Sequence, residues 1–155
     1  DPFYLAFKAR EADFYPEFIE LAGKINQSQP EFCVRRIERA LNAAGKPVSG
    51  SRILILGVSY KAGVGDVRES PALKIVRFLR ELGGEVAYHD PHVPELAELG
   101  LSSVELDEAL PGTDLAAIVT AHPGVDYREV AARAGVVVDF RGVTRGIAAG
   151  NVVRL

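Results

Sequence analysis

Lys61 and Arg141 each follow a short apolar run that reads as a strand end, and a lysine and an arginine so placed are natural partners for a diphosphate. The lysine offers a mobile point charge and the arginine a planar fork of donors. Tyr60, next to Lys61, can pack against a base or a sugar, and Arg68 lies further along the same segment. A single long cation at a strand end is ordinarily just solvated, whereas two on neighbouring central strands argue for a shared anion site. His89, His92 and His122 could bind a metal only if loops gathered them, and their spacing gives no zinc pattern. Cys33 has no histidine near it in sequence and reads as a small buried hydrophobe rather than a nucleophile.

These residues need a scaffold, and the apolar pattern supplies one. From Pro16 onward Phe18, Leu21, Ile25, Phe32, Ile37 and Leu41 recur at helical intervals. Pro30 interrupts them, so the stretch is either one kinked helix or two helices. Gly45 and Pro47 end it. Beyond this hinge short apolar runs alternate with amphipathic stretches, the pattern of a parallel sheet flanked by helices. Arg52 to Val58 is too continuously apolar for a one-sided strand and should be central. Ser70-Pro71 opens a helix running to Gly83, and strands are expected at Glu85 to Tyr88, near Ser103-Val104, and at Leu115 to Val119, Val136 to Val138 and Val152 to Leu155. Short helices should cover Leu106 to Leu110 and Tyr127 to Arg133. The fold class is therefore α/β: a Rossmann-like, doubly wound parallel sheet preceded by a long helical segment.

In such a sheet the ligand crevice lies beyond the C-terminal strand ends. That rule collects Ser59-Tyr60-Lys61, His89-Asp90, Thr120-Ala121-His122 and Asp139-Phe140-Arg141 at one rim. The dinucleotide fingerprint Gly-x-Gly-x-x-Gly would have to follow the first strand, but Gly57 is followed instead by a long segment reaching Ser70. This domain should not hold NAD in the usual way; a flexible loop presents Lys61 and Arg68 in its place. An acidic pocket for Mg²⁺, as in phosphoacceptor modules, is excluded by the Gly-Val-Ser-Tyr-Lys strand end.

The 155 residues are 48% hydrophobic and 25% charged, enough for one globular domain with an appendage. A net charge of −3 provides no global field for nucleic acid or an anionic membrane. No apolar run approaches the ~20 residues of a membrane span. A single cysteine excludes an intramolecular disulfide framework. A cytoplasmic location is expected. There is no methionine, and the chain opens on Asp1-Pro2 inside an aromatic, helix-like stretch, which reads as a piece of a longer protein.

The stretches Phe14 to Arg36, Leu56 to Lys61, Asp66 to Ile75 and Tyr88 to Pro91 together resemble the UDP-glucose/GDP-mannose dehydrogenase family, in particular its bacterial branch acting on UDP-N-acetylhexosamines. Tyr-Lys followed by Arg-Glu-Ser-Pro is a long, ordered combination. The resemblance implies that residues 1–46 are the end of a central helical dimerisation segment and residues 47–155 a C-terminal UDP-sugar-binding domain. It implies a substrate-binding role for Tyr60, Lys61 and Arg141, and a cofactor-contacting role for Arg68, which would reach NAD held mainly by an N-terminal domain. It further implies oxidation of a sugar C6 alcohol to the carboxylate with two NAD⁺ and a thiol-bound intermediate. Asp1-Pro2 is similar to the residues just after the family's catalytic cysteine, so Asp1 would match a catalytic carboxylate, idle at a free terminus. Ala62-Gly63 replaces the Lys-Asp that many relatives carry after Tyr-Lys, which should loosen the loop. The expected partners are a UDP-sugar, the N-terminal domain and a second copy in a homodimer, with no metal and no nucleic acid. The chain alone should be inactive. The alternative is a non-catalytic nucleotide-binding or dimerisation module.

Overall fold

A computed structural model describes residues 2–155. Asp1 lies outside the described residues. Two helices come first, α1 (Pro2–Glu11) and α2 (Glu17–Ala43). An α/β unit follows: β1 (Arg52–Leu56), α3 (Pro71–Glu81), β2 (Glu85–His89), β3 (Glu95–Leu96), β4 (Leu101–Ser102), α4 (Leu106–Ala109), β5 (Leu115–Ile118), α5 (Tyr127–Arg133), β6 (Val136–Asp139) and β7 (Val152–Arg154).

The main sheet has five strands in the order β2-β1-β5-β6-β7, every pair parallel. Apart from Arg52 and Asp139 at strand ends its inner strands are apolar because both faces are covered, and the residues of β1 and β5 divide by parity. Ile53, Ile55, Leu115 and Ala117 join a core under α2 and α3, whereas Leu54, Leu56, Ala116 and Ile118 join a second core with Leu110 and Val130. The sheet is thus wound on both sides, as expected. β1 connects outward to β2, and the chain then crosses to β5 on the other side of β1. The connections diverge between β1 and β5, which places a switch-point crevice at their C-terminal ends.

Of the two alternatives at Pro30 the structure takes the single helix: α2 is continuous over 27 residues with Pro30 buried inside it. An interior proline costs about 3 kcal/mol in an isolated helix. Here the turns that follow bury Val34, Ile37, Ala40 and Leu41, and that packing outweighs the loss. The strand expected near Ser103-Val104 reduces to one bridge between Tyr88 and Ser103, and the neighbouring hairpin β3–β4 pairs Glu95 with Ser102. The N-terminal half of the apolar stripe does not reach a core: Phe18 is 89% exposed, and Phe3, Tyr4, Phe7, Phe14, Tyr15, Leu21 and Ile25 are exposed as well. Among the described residues, no helix is long and apolar enough to cross a membrane.

Capping follows the sequence signals. Ser70 Oγ accepts from the Ala72 amide and Pro71 takes the first turn of α3, where a missing N–H costs nothing. Asp126 caps α5 through the amides of Arg128 and Glu129. Gly57 ends β1 at φ 77°, its amide donating to the His89 carbonyl. A Cβ there would stand 2.0 Å from the Thr120 carbonyl oxygen, so β1 and the end of β5 approach too closely for any side chain. Gly57→Ala should therefore destabilise the fold by about 3 kcal/mol or more. A thermal melt within about 1 °C of wild type would contradict this close approach.

Candidate functional site at the switch point

The crevice floor is a buried polar cluster. Asp90, just past β2, turns its carboxylate back under the end of β1: Oδ2 accepts from the Val58 amide at 2.8 Å and the Ser59 amide at 3.1 Å, and Oδ1 accepts from the His92 amide at 2.8 Å. His122, just past β5, places Nε2 at 2.9 Å from Asp90 Oδ2 and 3.1 Å from Ser59 Oγ. Its Nδ1 accepts from the Gly63 amide at 3.1 Å. Thr120 Oγ1 donates to the Ser59 carbonyl at 2.8 Å, and Ser59 Oγ donates to the Lys61 carbonyl at 2.9 Å. The ends of β1, β2 and β5 are thereby joined through side chains. Burial pushes the Asp90 carboxyl up, but the donors from His92, Val58 and His122 outweigh it and hold it below the ordinary carboxylate range.

Asp139, ending β6, organises the next loop. Its Oδ1 accepts from the Arg141 and Gly142 amides, and its Oδ2 from the Thr144 amide and hydroxyl. Burial again opposes ionisation, and the Thr144, Arg141 and Gly142 donors again prevail, so its pKa lies low. The fixed turn presents Arg141 to solvent.

The long loop after β1 is tethered rather than loose. The Tyr60 amide donates to the Asp66 carbonyl at 2.7 Å, and Gly65 packs so closely that a Cβ would meet the His92 carbonyl at 2.5 Å. Arg68 folds back on Asp66 through its amide, Nε and Nη2, and this guanidinium holds the Asp66 carboxyl down at about 2. The Arg68 side chain nevertheless remains 86% exposed. Glu69 adopts φ 58° immediately before the Ser70 cap.

Tyr60, 60% exposed, and Lys61 stand at the end of β1, and Arg141 stands at the end of β6. All three project from one edge of the sheet. The two cations are not on neighbouring strands, however, because β5 lies between β1 and β6. Two strand spacings, about 10 Å, separate their strands, a gap that an extended diphosphate group can bridge. Among the described residues neither Lys61 nor Arg141 is in an ion pair.

His89 does not join the rim: its Nδ1 donates to the Val104 carbonyl at 2.8 Å. The His92 and His122 rings lie 4.9 Å apart, and among the described residues no group of three His, Cys, Asp or Glu side chains could hold a metal. Cys33 packs beside the core, and burial pushes its thiol up to about 11, as befits a structural residue. A groove of about 410 Å³ over Arg52, Leu54, Glu85 and Ala87 lies toward the opposite ends of the strands. The buried Asp90–His122 pair was not legible as a pair, since 31 residues of chain separate the two positions. Their placement at strand ends was the only signal.

A family profile described as "UDP-glucose/GDP-mannose dehydrogenase family, UDP binding domain" matches residues 54–146. The UDP-N-acetyl-D-mannosamine dehydrogenase of Pyrococcus horikoshii is 31% identical over 99% of this chain and 36% of its own length. The UDP-N-acetyl-D-glucosamine 6-dehydrogenase of Pseudomonas aeruginosa is 31% identical over 60% of this chain and 22% of its own. Among solved structures, a UDP-glucose dehydrogenase from Pyrobaculum islandicum superposes with a TM-score of 0.79 at 26% identity, over 97% of this chain and 35% of that one. The chain spans about a third of the length of the first of these relatives.

Asp90 and Asp139 both ionise more readily folded than unfolded, so their contribution to stability is full above the ordinary carboxylate pKa of about 4 and disappears as pH falls through their lower folded values. Through these two groups thermal stability should decline below about pH 4. Asp90→Asn should cost about 2 kcal/mol at pH 7 and flatten that acid limb. Parallel acid limbs for wild type and variant would rule out Asp90 as a source of the decline.

Proposed function

This chain belongs to the UDP-glucose/GDP-mannose dehydrogenase family, and from that membership we propose that it is the substrate-binding part of an NAD-dependent nucleotide-sugar 6-dehydrogenase, which oxidises a UDP-sugar C6 alcohol to the uronate. The observation that carries this reading is the match to a UDP-binding domain over residues 54–146, the stretch that bears both rim cations. In this reading Lys61 and Arg141 flank the crevice over β5 and neutralise the diphosphate from two sides. Tyr60 packs against the base or the sugar. Residues 1–46 form the end of a central helical segment through which two copies pair, and residues 47–155 form the nucleotide-sugar domain. The exposed aromatic side chains of α1 and the first half of α2 suit that pairing. The acidic sugar produced would serve the synthesis of a surface polysaccharide.

NAD does not fit this chain's own first loop. Fourteen residues separate the end of β1 from Pro71, the start of α3. At the α3 N-terminus Ser70 Oγ takes the Ala72 amide and Pro71 has no N–H to offer. The tight strand-to-helix turn that would seat a pyrophosphate is missing, and no redox step is assigned to residues of this chain. NAD and the nucleophilic thiol would come from an N-terminal unit, toward which the exposed Arg68 would reach. Asp1, the candidate catalytic carboxylate, would act only in that setting.

A second reading, a non-catalytic nucleotide-binding or dimerisation module, is favoured by the same exposed aromatic stripe. Calorimetry separates the two. Under the first reading UDP binds the chain, Lys61→Ala and Arg141→Ala each weaken binding about tenfold, and NAD⁺ with UDP-sugars yields no NADH. Tight self-association without nucleotide affinity would favour the module instead, and NADH production by the chain alone would refute both.

A further inference from the structure

His122 is 2% exposed, and two of its three side-chain partners, Ser59 and Gly63, belong to the loop after β1. Its Nδ1 faces the Gly63 amide at 3.1 Å. An amide can only donate, so Nδ1 carries no hydrogen and the ring proton sits on Nε2, directed at Asp90 Oδ2 2.9 Å away. The same carboxylate oxygen takes the Val58 and Ser59 amides, which begin the loop. The chain is therefore gripped at Ser59 by Asp90 and at Gly63 by His122, leaving only residues 60–62 between two fixed points. Ser59 Oγ also holds the Lys61 carbonyl at 2.9 Å, orienting the peptide of the cation itself. Gly63 has φ 77°, and a Cβ built there would meet no neighbour, so no close approach on that side holds it and the hydrogen bond to His122 is its anchor.

We propose that His122, oriented by Asp90, is a positioning residue: it latches the Gly63 amide and so holds Tyr60 and Lys61 in the arrangement that receives the nucleotide diphosphate. The inference rests on the UDP-sugar reading and deepens it. Without the latch, the loop between Ser59 and Asp66 would have to be ordered at the moment of binding, which weakens affinity although the charge of Lys61 is unchanged.

The test uses the whole chain with UDP as the probe and amide hydrogen exchange as a second measurement. His122→Leu should weaken UDP binding about tenfold, and adding Lys61→Ala should then cost less than about twofold, because the lysine is no longer positioned. His122→Asn, which keeps an acceptor near the Nδ1 position, should recover most of the affinity. The Gly63 amide should be protected in wild type and exchange at least about tenfold faster in His122→Leu, while amides of Ala116 and Ala117 in β5 stay protected. Losses from His122→Leu and Lys61→Ala that simply add, or equal weakening by Asn and Leu at position 122, overturn the latch. A wild-type Gly63 amide that exchanges as freely as an open loop overturns it without any variant. A protected Gly63 in a wild-type chain with no UDP affinity instead refutes the binding reading on which the inference rests.

Discussion

Placing an ionised carboxylate under the crossing point of a parallel sheet is costly unless its oxygens are well supplied with donors. Asp90 meets that condition with donors from Val58, Ser59, His92 and His122, drawn from the ends of β1, β2 and β5. The strands of a parallel sheet are held together along their length by backbone ladders, but at their C-terminal ends the ladders stop and the chain diverges. Without Asp90 the amides of Val58 and Ser59 would lack these acceptors in a buried position. These contacts fix the backbone at the start of the long loop that carries Tyr60 and Lys61.

Asp139 repeats the arrangement at β6, turning a carboxylate into a template for the backbone that presents Arg141. In both cases an acid at a strand end serves the main chain, through amides beside which Lys61 and Arg141 stand. In a chain of net charge −3 the negative groups nearest the rim are thus already consumed by amides and, for Asp66, by Arg68.

Much of this was readable from residue order alone. Arg52 to Val58 announced a doubly covered strand by its unbroken apolar run, Ser70-Pro71 marked the start of α3 to the residue, and the strand-end rule placed Lys61 and Arg141 on one edge. The order of strands was not readable, so β5 between the two cations went unforeseen, because pairing depends on contacts between distant segments that no local pattern encodes. Pro30 left one helix or two open: the local penalty was plain, but the burial of Val34, Ile37 and Leu41 that outweighs it exists only once the sheet is formed. The loop after β1 read as flexible from its length and from Ala62-Gly63, whereas its tethers to His122 and His92 come from residues too far along the chain to be associated with it.

The assignment of alternate residues in β1 and β5 to opposite interiors has a bearing on how such a sequence can change over time. Substitutions beneath α2 and α3 can accumulate without disturbing the layer shared with Leu110 and Val130, since no side chain in either strand serves both. Gain or loss of one residue within β1 is another matter: it would exchange the two interiors along the rest of that strand and displace Gly57 from its place against Thr120. Strand length, more than the choice among Ile, Leu and Val, is the quantity that descendants of this chain must keep.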